Sequence, residues 1–129
     1  MDQPLPFARP LALLVEDETI VRMQTADLLL EAGFEVLEAW NVVTGLRQFE
    51  RRPGIELLIT DVRLPGARDG FALAREVAAR WPDVAIVVLS GVAAPGPDDL
   101  PAGVRFIPKR LNPRLVLETV QAITGRGAA

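Results

Sequence analysis

Short apolar runs alternate along the chain with longer segments whose apolar residues recur at helical spacing. Runs of this length, rich in Val, Ile and Leu and bounded by turn residues, predict β-strands. The first, third and fourth runs are almost wholly apolar, which is typical of strands buried on both faces of a parallel sheet. The five predicted strands are Leu11–Val15, Glu35–Ala39, Leu57–Thr60, Ala85–Leu89 and Arg105–Ile107.

The segments between and after these runs predict four helices. The first covers Ile20–Ala32 and stops before a glycine, a favourable residue beyond a helix end. Asn41 is a favourable cap for the second helix, and Asn112 followed by Pro113 begins the last one. Trp40 and Trp81 are interpreted as helix-packing residues. The apolar positions at helical spacing are Ile20, Met23, Ala26 and Leu30 in the first helix, Phe71, Ala74, Val77, Ala78 and Trp81 in the third, and Leu115, Val116, Val120 and Ile123, expected to face inward, in the last.

The alternation of strands and helices predicts an α/β domain in which helices cover both faces of a doubly wound parallel sheet. The segment from Gly91 to Gly103 departs from this pattern, because its prolines predict that the helix after the fourth strand is short or irregular. The predicted domain covers residues 10–124. Residues 1–9 are predicted to be disordered or loosely packed, and residues 125–129 to form a C-terminal tail.

Composition narrows the chemistry available to this domain. The 129 residues make one ordinary domain, and the net charge of −3 argues against a nucleic-acid-binding surface. Cys and His are both absent, which excludes disulfides, thiolate or imidazole metal sites and histidine-assisted nucleophiles. The first residues do not form a signal peptide and no run approaches a membrane span, so a soluble cytoplasmic domain is expected. Because Cys and His are absent, any chemistry must use carboxylates, hydroxyls and lysine.

Polar residues stand at the ends of four predicted strands. Glu16 and Asp17 follow the first strand, Asp61 the third and Ser90 the fourth, while Lys109 lies just beyond the fifth. The carboxyl ends of parallel strands lie at one edge of a sheet, where open α/β sheets bind ligands. The pattern therefore predicts that carboxylates, a hydroxyl and an ammonium group meet at this edge.

Carboxylates that meet at one edge favour a bound cation. Two like charges ~4 Å apart repel by about 4 kcal/mol at an effective dielectric of ~20. With oxygen ligands alone, Mg²⁺ fits this set best. Beside such an ion, Asp61 is suited to attack phosphorus, Lys109 to place a point charge on the phosphoryl oxygens, and Ser90 to donate a hydrogen bond to them.

These residues belong to a set of motifs in a particular order: Glu16-Asp17, Asp61-Val62-Arg63-Leu64-Pro65-Gly66, Asp69-Gly70, Ser90-Gly91 and Phe106-Ile107-Pro108-Lys109. The set resembles the receiver domain of two-component response regulators, over about residues 10–124. No single motif is specific to this family, but the order of the motifs and their positions at strand ends make the resemblance strong. The resemblance implies a flavodoxin-like sheet of five parallel strands in the order 2-1-3-4-5.

The resemblance further implies a phosphoacceptor signalling switch. The phosphoryl donor would be a phosphohistidine of a sensor histidine kinase or a phosphotransfer protein, and the output would be contact with an unknown downstream protein, without direct binding of nucleic acid or membrane. Such a switch catalyses reactions of its own aspartate and is not an enzyme acting on an external substrate. The implied roles are phosphoacceptor and metal ligand for Asp61, direct metal ligand for Asp17, metal ligand through water for Glu16, metal ligation by the main-chain carbonyl for Arg63, switch hydroxyl for Ser90, phosphoryl-binding cation for Lys109 and switch aromatic for Phe106.

Three features bear on how closely the chain follows that family. The interval from Ser90 to Lys109 is short where the fourth helix belongs, which is similar to single-domain receivers paired with HWE-type kinases. Arg110 stands where the family usually has proline in a cis peptide. A cis bond to a non-proline residue costs ~3–4 kcal/mol, so a trans bond or an altered loop is expected. Pro108 requires the fifth strand to be an edge strand.

Alternative interpretations apply to several residues and to the function. Phe106 fits a plain core position equally well, and Arg63 and Arg68 fit a solvated loop as well as a role in water access or partner contact. The main alternative function is a receiver-like interaction module that is not phosphorylated. A dehalogenase-type phosphohydrolase needs a second Asp where Arg63 stands, and a dinucleotide-binding domain needs a Gly-rich turn that is absent after the first strand.

Overall fold

The computed structural model describes residues 9–91, 100–109 and 112–125. Within these residues the chain forms one sheet of five parallel strands, and its order is β2-β1-β3-β4-β5 when the strands are numbered along the chain. This order and the doubly wound α/β fold confirm the prediction. The strands are β1 (Leu11–Val15), β2 (Glu35–Ala39), β3 (Ile55–Asp61), β4 (Ala85–Ser90) and β5 (Arg105–Pro108).

Helices α1 (Thr19–Glu31), α2 (Val42–Arg51), α3 (Gly70–Arg80) and α4 (Pro113–Thr124) complete the described fold. Their predicted caps are in place. The Asn41 side chain accepts a hydrogen bond from the backbone N–H of Thr44 at 2.7 Å, and Asn112 accepts two from the first turn of α4. Asp69 caps α3 in the same way. These side chains satisfy N–H groups that the first turn of a helix leaves without a partner.

The core lies in two layers on either side of the sheet. Helices α2 and α3 cover one face, and α1 and α4 cover the other. Successive residues of β1 divide between the layers: Leu13 and Val15 pack toward α2 and α3, whereas Ala12 and Leu14 pack toward α1 and α4. Because both faces of β1, β3 and β4 are buried, these three strands read as nearly continuous apolar runs.

The two tryptophans differ in their surroundings. Trp81 stacks on Phe49 of α2 with ring centroids 4.8 Å apart, and the Arg80 guanidinium lies 4.4 Å from the centre of its ring. The prediction that Trp81 packs between helices is therefore confirmed. The same prediction for Trp40 is wrong, because 54% of that residue is exposed.

Helical spacing did not predict correctly which apolar residues of α1 and α4 are buried. The sheet meets α1 through Thr25, Ala26 and Leu29, all of which are buried. Apolar residues occur on more than one side of α1, so spacing alone does not show which side the sheet covers. Four large apolar residues at predicted helical positions are exposed instead: Ile20, Met23 and Leu30 of α1 and Leu115 of α4.

Several predictions concern residues outside the described ranges. The expected short helix after β4 falls mainly on residues 92–99, and neither Gly91 nor residues 100–104 are helical. The Lys109–Arg110 peptide also lies outside, as do residues 1–8 and 126–129 of the two tails, so these predictions stay predictions. Pro108 does lie on an edge strand, as required. Over the described ranges, no helix has the length and apolar character needed to cross a membrane.

Candidate functional site

The strand register carries the predicted polar residues to one edge of the sheet. Val15 of β1 pairs with Thr60 of β3, so Glu16 and Asp61 follow as neighbours at the ends of adjacent strands. The edge continues through β4 and β5 with two further pairs, Asp61–Leu89 and Ser90–Pro108. Lys109 follows directly, and its backbone N–H donates to the Ser90 carbonyl at 2.7 Å. Parallel pairing alone therefore brings the ends of four strands together.

The Lys109 ammonium group lies among three carboxylates. Its Nζ is 2.9 Å from Asp61 Oδ2, 3.2 Å from Glu16 Oε1 and 3.7 Å from Glu18 Oε2. Burial acts to lower the pKa of Lys109, but the hydrogen bond and charge of Asp61, followed by those of Glu16, outweigh it and raise the pKa. Lys109 is therefore held as a cation against the predicted nucleophile.

Glu16 is a buried carboxylate with incomplete hydrogen bonding. Its Oε2 accepts the backbone N–H of Glu18 at 3.0 Å. Its Oε1 lies within ion-pair distance of Lys109, yet receives no hydrogen bond of good geometry from the residues that the structure describes. Burial is the main reason that the pKa of Glu16 is raised, and the nearby charge of Asp61 adds to it. Burial at this position thus disfavours the charged form of Glu16.

Glu16, Asp17 and Asp61 form a cluster suited to a cation. One carboxylate oxygen from each of the three lies within 4.8 Å of the other two. Acidic groups often cluster at protein surfaces without a metal, but here two of the three are buried, and Glu16 Oε1 accepts no well-aligned hydrogen bond from the described residues. Carboxylate oxygens are the ligands that hard divalent ions prefer. The residues therefore fit such an ion.

Asp61 and Lys109 border an open cleft of about 490 Å³, together with Asp17, Arg63 and others. Asp61 and Lys109 also border an adjoining pocket that Ser90 lines. Asp61 therefore lines both cavities at this edge of the sheet.

The main chain at Asp61 is held by contacts that sequence reasoning did not identify. The Thr60 hydroxyl donates to the Asp61 carbonyl at 2.9 Å. Gly70, the first residue of α3, donates its N–H to the Val62 carbonyl at 2.7 Å. A Cβ atom added to Gly70 would lie 1.8 Å from the Asp61 carbonyl oxygen. The start of α3 therefore packs directly on the backbone of the predicted phosphoacceptor.

The structure brings together Glu16, Asp17, Asp61, Ser90 and Lys109, as the sequence predicted, while their chemical roles stay predictions. Glu18 joins them unexpectedly, although its position in the acidic run after β1 was a usable signal.

Three other residues with predicted or open roles lie around this group. Arg63 is exposed beside the cleft, and Arg68 pairs with Glu76 of α3. Phe106 is half-buried against the core layer of α2 and α3, which leaves both of its interpretations open.

Comparisons with known proteins agree with this geometry. The model of the response regulator receiver domain family matches residues 12–121. The sensor kinase CckA of Brucella abortus is 34% identical over 113 residues, which cover 84% of this chain but 12% of that kinase. The response regulator receiver protein CpdR of Brucella abortus is 30% identical over 84% of this chain and 92% of its own length.

A solved structure extends the likeness to three dimensions. The receiver domain of the sensor histidine kinase PA1611 from Pseudomonas aeruginosa PAO1 was solved with a magnesium ion coordinated in its active site cleft. It superposes with a TM-score of 0.78 at 25% identity, covering 92% of this chain and 99% of that domain.

Proposed function

Because the chain belongs to the response regulator receiver domain family of two-component systems, we propose that Asp61 accepts a phosphoryl group and thereby switches the domain between two signalling states. The donor is a phosphohistidine of a sensor histidine kinase or of a phosphotransfer protein. The output is contact with a downstream protein. The ion pair of Asp61 with Lys109, within a cluster of carboxylates at the cleft, is the observation that carries this proposal.

Asp61 and the residues around it have different roles in phosphoryl transfer. A carboxylate oxygen of Asp61 forms a bond to phosphorus while the bond from phosphorus to the donor imidazole nitrogen breaks. Lys109 places its positive charge beside the phosphoryl oxygens, and the Ser90 hydroxyl donates a hydrogen bond to one of them. Water that enters the same cleft later hydrolyses the acyl phosphate, which releases phosphate and restores the Asp61 carboxylate. Both reactions take place on the domain's own aspartate.

Mg²⁺ is the proposed cofactor. Asp17 and Asp61 would hold it directly, Glu16 would hold it through water, and the main-chain carbonyl of Arg63 would complete the protein ligands. When bound, the ion neutralises charge on the transferring phosphoryl group. Support comes from the fit of the three carboxylates and from the magnesium ion in the PA1611 receiver domain.

Replacing Asp17 with Ala is expected to weaken Mg²⁺ binding by more than about 10-fold, since loss of even an outer-shell partner costs that much in metal affinity. Glu16→Gln should weaken it only a few-fold, because the amide oxygen still accepts a hydrogen bond from water. Titration calorimetry with MgCl₂ measures the Mg²⁺ dissociation constant of each variant. Asp83→Ala, an exposed carboxylate just before β4 at the opposite edge, is the matched control. Equal and negligible effects of all three would refute the metal site.

The donor protein is proposed to dock on the start of α1. A phosphohistidine can reach Asp61 only if its protein covers the rim of the cleft, and α1 begins directly after Asp17 and Glu18. Ile20 and Met23 lie on one side of the first turns of α1 and are 61% and 58% exposed. Apolar residues exposed together beside a reactive site are typical of a protein-binding surface.

Substituting both Ile20 and Met23 with Asp is expected to lower kcat/KM for phosphotransfer from the cognate kinase by about 10-fold or more. Labelling by acetyl phosphate should stay unchanged, because the small donor needs no docking surface. Leu30→Asp is the matched control, since Leu30 is exposed in the last turn of the same helix, away from the cleft. A loss with Leu30→Asp as large as that with the double variant would contradict the proposed surface.

A further inference from the structure

Arg22 of α1 joins the acidic loop, residues 16–18 between β1 and α1, to strand β2. Its Nη1 donates to the main-chain carbonyl of Glu16 at 2.9 Å. Its Nε donates to Glu38 Oε1 of β2, also at 2.9 Å. Only 21% of the Arg22 side chain is exposed, against 47% for Glu38. The guanidinium group therefore bridges Glu16, the residue before Asp17, and β2, the edge strand on this side of the sheet.

The first turn of α1 depends on unusual contacts. Glu18 occupies the cap position, but its side chain makes no capping hydrogen bond. The backbone N–H of Glu18 itself donates to the Glu16 carboxylate, and the Glu16 N–H donates to the Ala39 carbonyl at 3.0 Å. Among the residues that the structure describes, the Glu16 carbonyl accepts its hydrogen bond from Arg22. The direction of the Asp17 backbone follows from that carbonyl, since both belong to one planar peptide.

We propose that Arg22 is a positioning residue for the metal site, acting through the Glu16–Asp17 peptide. The inference rests on the proposed magnesium site. Arg22 keeps the carboxylates of Glu16 and Asp17 in place before the ion arrives, which reduces the ordering that binding would otherwise require.

Charge and position predict opposite effects at this residue. Arg22 is a cation near a cation site, so removing its charge should by itself strengthen Mg²⁺ binding. Loss of the hydrogen bond from Arg22 to the Glu16 carbonyl should weaken Mg²⁺ binding, because the acidic loop is then free to move. The sign of the change therefore distinguishes positioning from plain electrostatics.

Arg22→Gln is expected to weaken Mg²⁺ binding about 10-fold, at the low end of the range for outer-shell partners. Arg22→Lys should restore part of the affinity, because an ammonium reaches one of the two acceptors. Titration calorimetry with MgCl₂ gives the constants, and hydrogen exchange of the amides of residues 16–18 in metal-free protein should be faster in the Gln variant. Stability is measured alongside, at a temperature where every variant is folded.

Two controls separate the contacts of Arg22. Arg52→Gln breaks another Arg–Glu pair, 3.4 Å from Glu35 at the opposite end of β2, and should leave Mg²⁺ binding unchanged. Glu38→Gln removes the charge partner of Arg22 but leaves the bond to the Glu16 carbonyl, so its effect should be small.

The outcomes are distinct. Arg22→Gln with wild-type or tighter Mg²⁺ binding overturns the inference, and so does an equal loss in Arg52→Gln or Glu38→Gln. If Arg22→Gln does not fold, Arg22→Met decides by the same criterion: wild-type or tighter Mg²⁺ binding in that variant overturns the inference, and weaker binding supports it. Failure of the unsubstituted protein to bind Mg²⁺ refutes the metal site itself.

Discussion

Replacing Asp61 with Asn is expected to reduce phosphorylation to background with either acetyl phosphate or a cognate kinase. The neutral amide is a far weaker nucleophile toward phosphorus than a carboxylate, and it cannot form the acyl phosphate. The change is nearly isosteric at a residue that is 3% exposed, so the fold should persist. Intact mass after incubation with acetyl phosphate and Mg²⁺ measures the result, as a gain of one phosphoryl group in the wild-type protein alone.

Asp69→Asn provides the control for the same substitution in the loop that follows Asp61. Asn caps a helix about as well as Asp, so α3 and the labelling should be unaffected. Persisting label in Asp61→Asn would mean that another residue is the acceptor. If the wild-type protein takes no label and binds no beryllofluoride with Mg²⁺, the domain is instead a constitutive interaction module.

Gly70→Ala is expected to destabilise the fold by at least about 3 kcal/mol, the upper end of the usual cost of overpacking. The new methyl group would meet the Asp61 carbonyl oxygen at 1.8 Å and the Val62 Cα at 2.9 Å. Both atoms belong to the backbone, so no side-chain rotation relieves the contact. The start of α3 must move away from β3, and with it the loop that follows Asp61. Urea unfolding followed by circular dichroism measures the free energy of unfolding.

The control for Gly70 is Gly91→Ala, at the same edge of the sheet. There the new methyl group would lie 3.6 Å from the Lys109 Cβ, an ordinary contact. Its free energy of unfolding should stay within about 1 kcal/mol of wild type. A Gly70→Ala protein of wild-type stability, with normal Asp61 labelling, would contradict the close packing of α3 on β3.

The fold and most of the candidate site could be predicted from the chain because local signals agreed. Apolar runs located all five strands, and side-chain caps located the starts of α2 and α4. Parallel strands place their carboxyl ends at one edge, so the polar residues after each run were expected to meet. The ion pair of Lys109 with Asp61 joins residues 48 positions apart, and the expected meeting of polar strand ends had placed both at one edge.

Other features are decided only by the tertiary structure. Helical spacing did not show that Ile20 and Met23 face solvent, because the covered side of α1 depends on how the helix lies on the sheet. The contact of Gly70 with the Asp61 carbonyl and the bond of Arg22 to the Glu16 carbonyl both involve main-chain atoms, which are alike at every residue.

The amino-acid sequence by itself thus determined which side chains gather at the edge of the sheet, since alternation of strand and helix makes the sheet parallel and places the carboxyl ends of its strands at that edge. Only the folded backbone determined what holds those side chains in position, because close packing depends on distances that no residue pattern records.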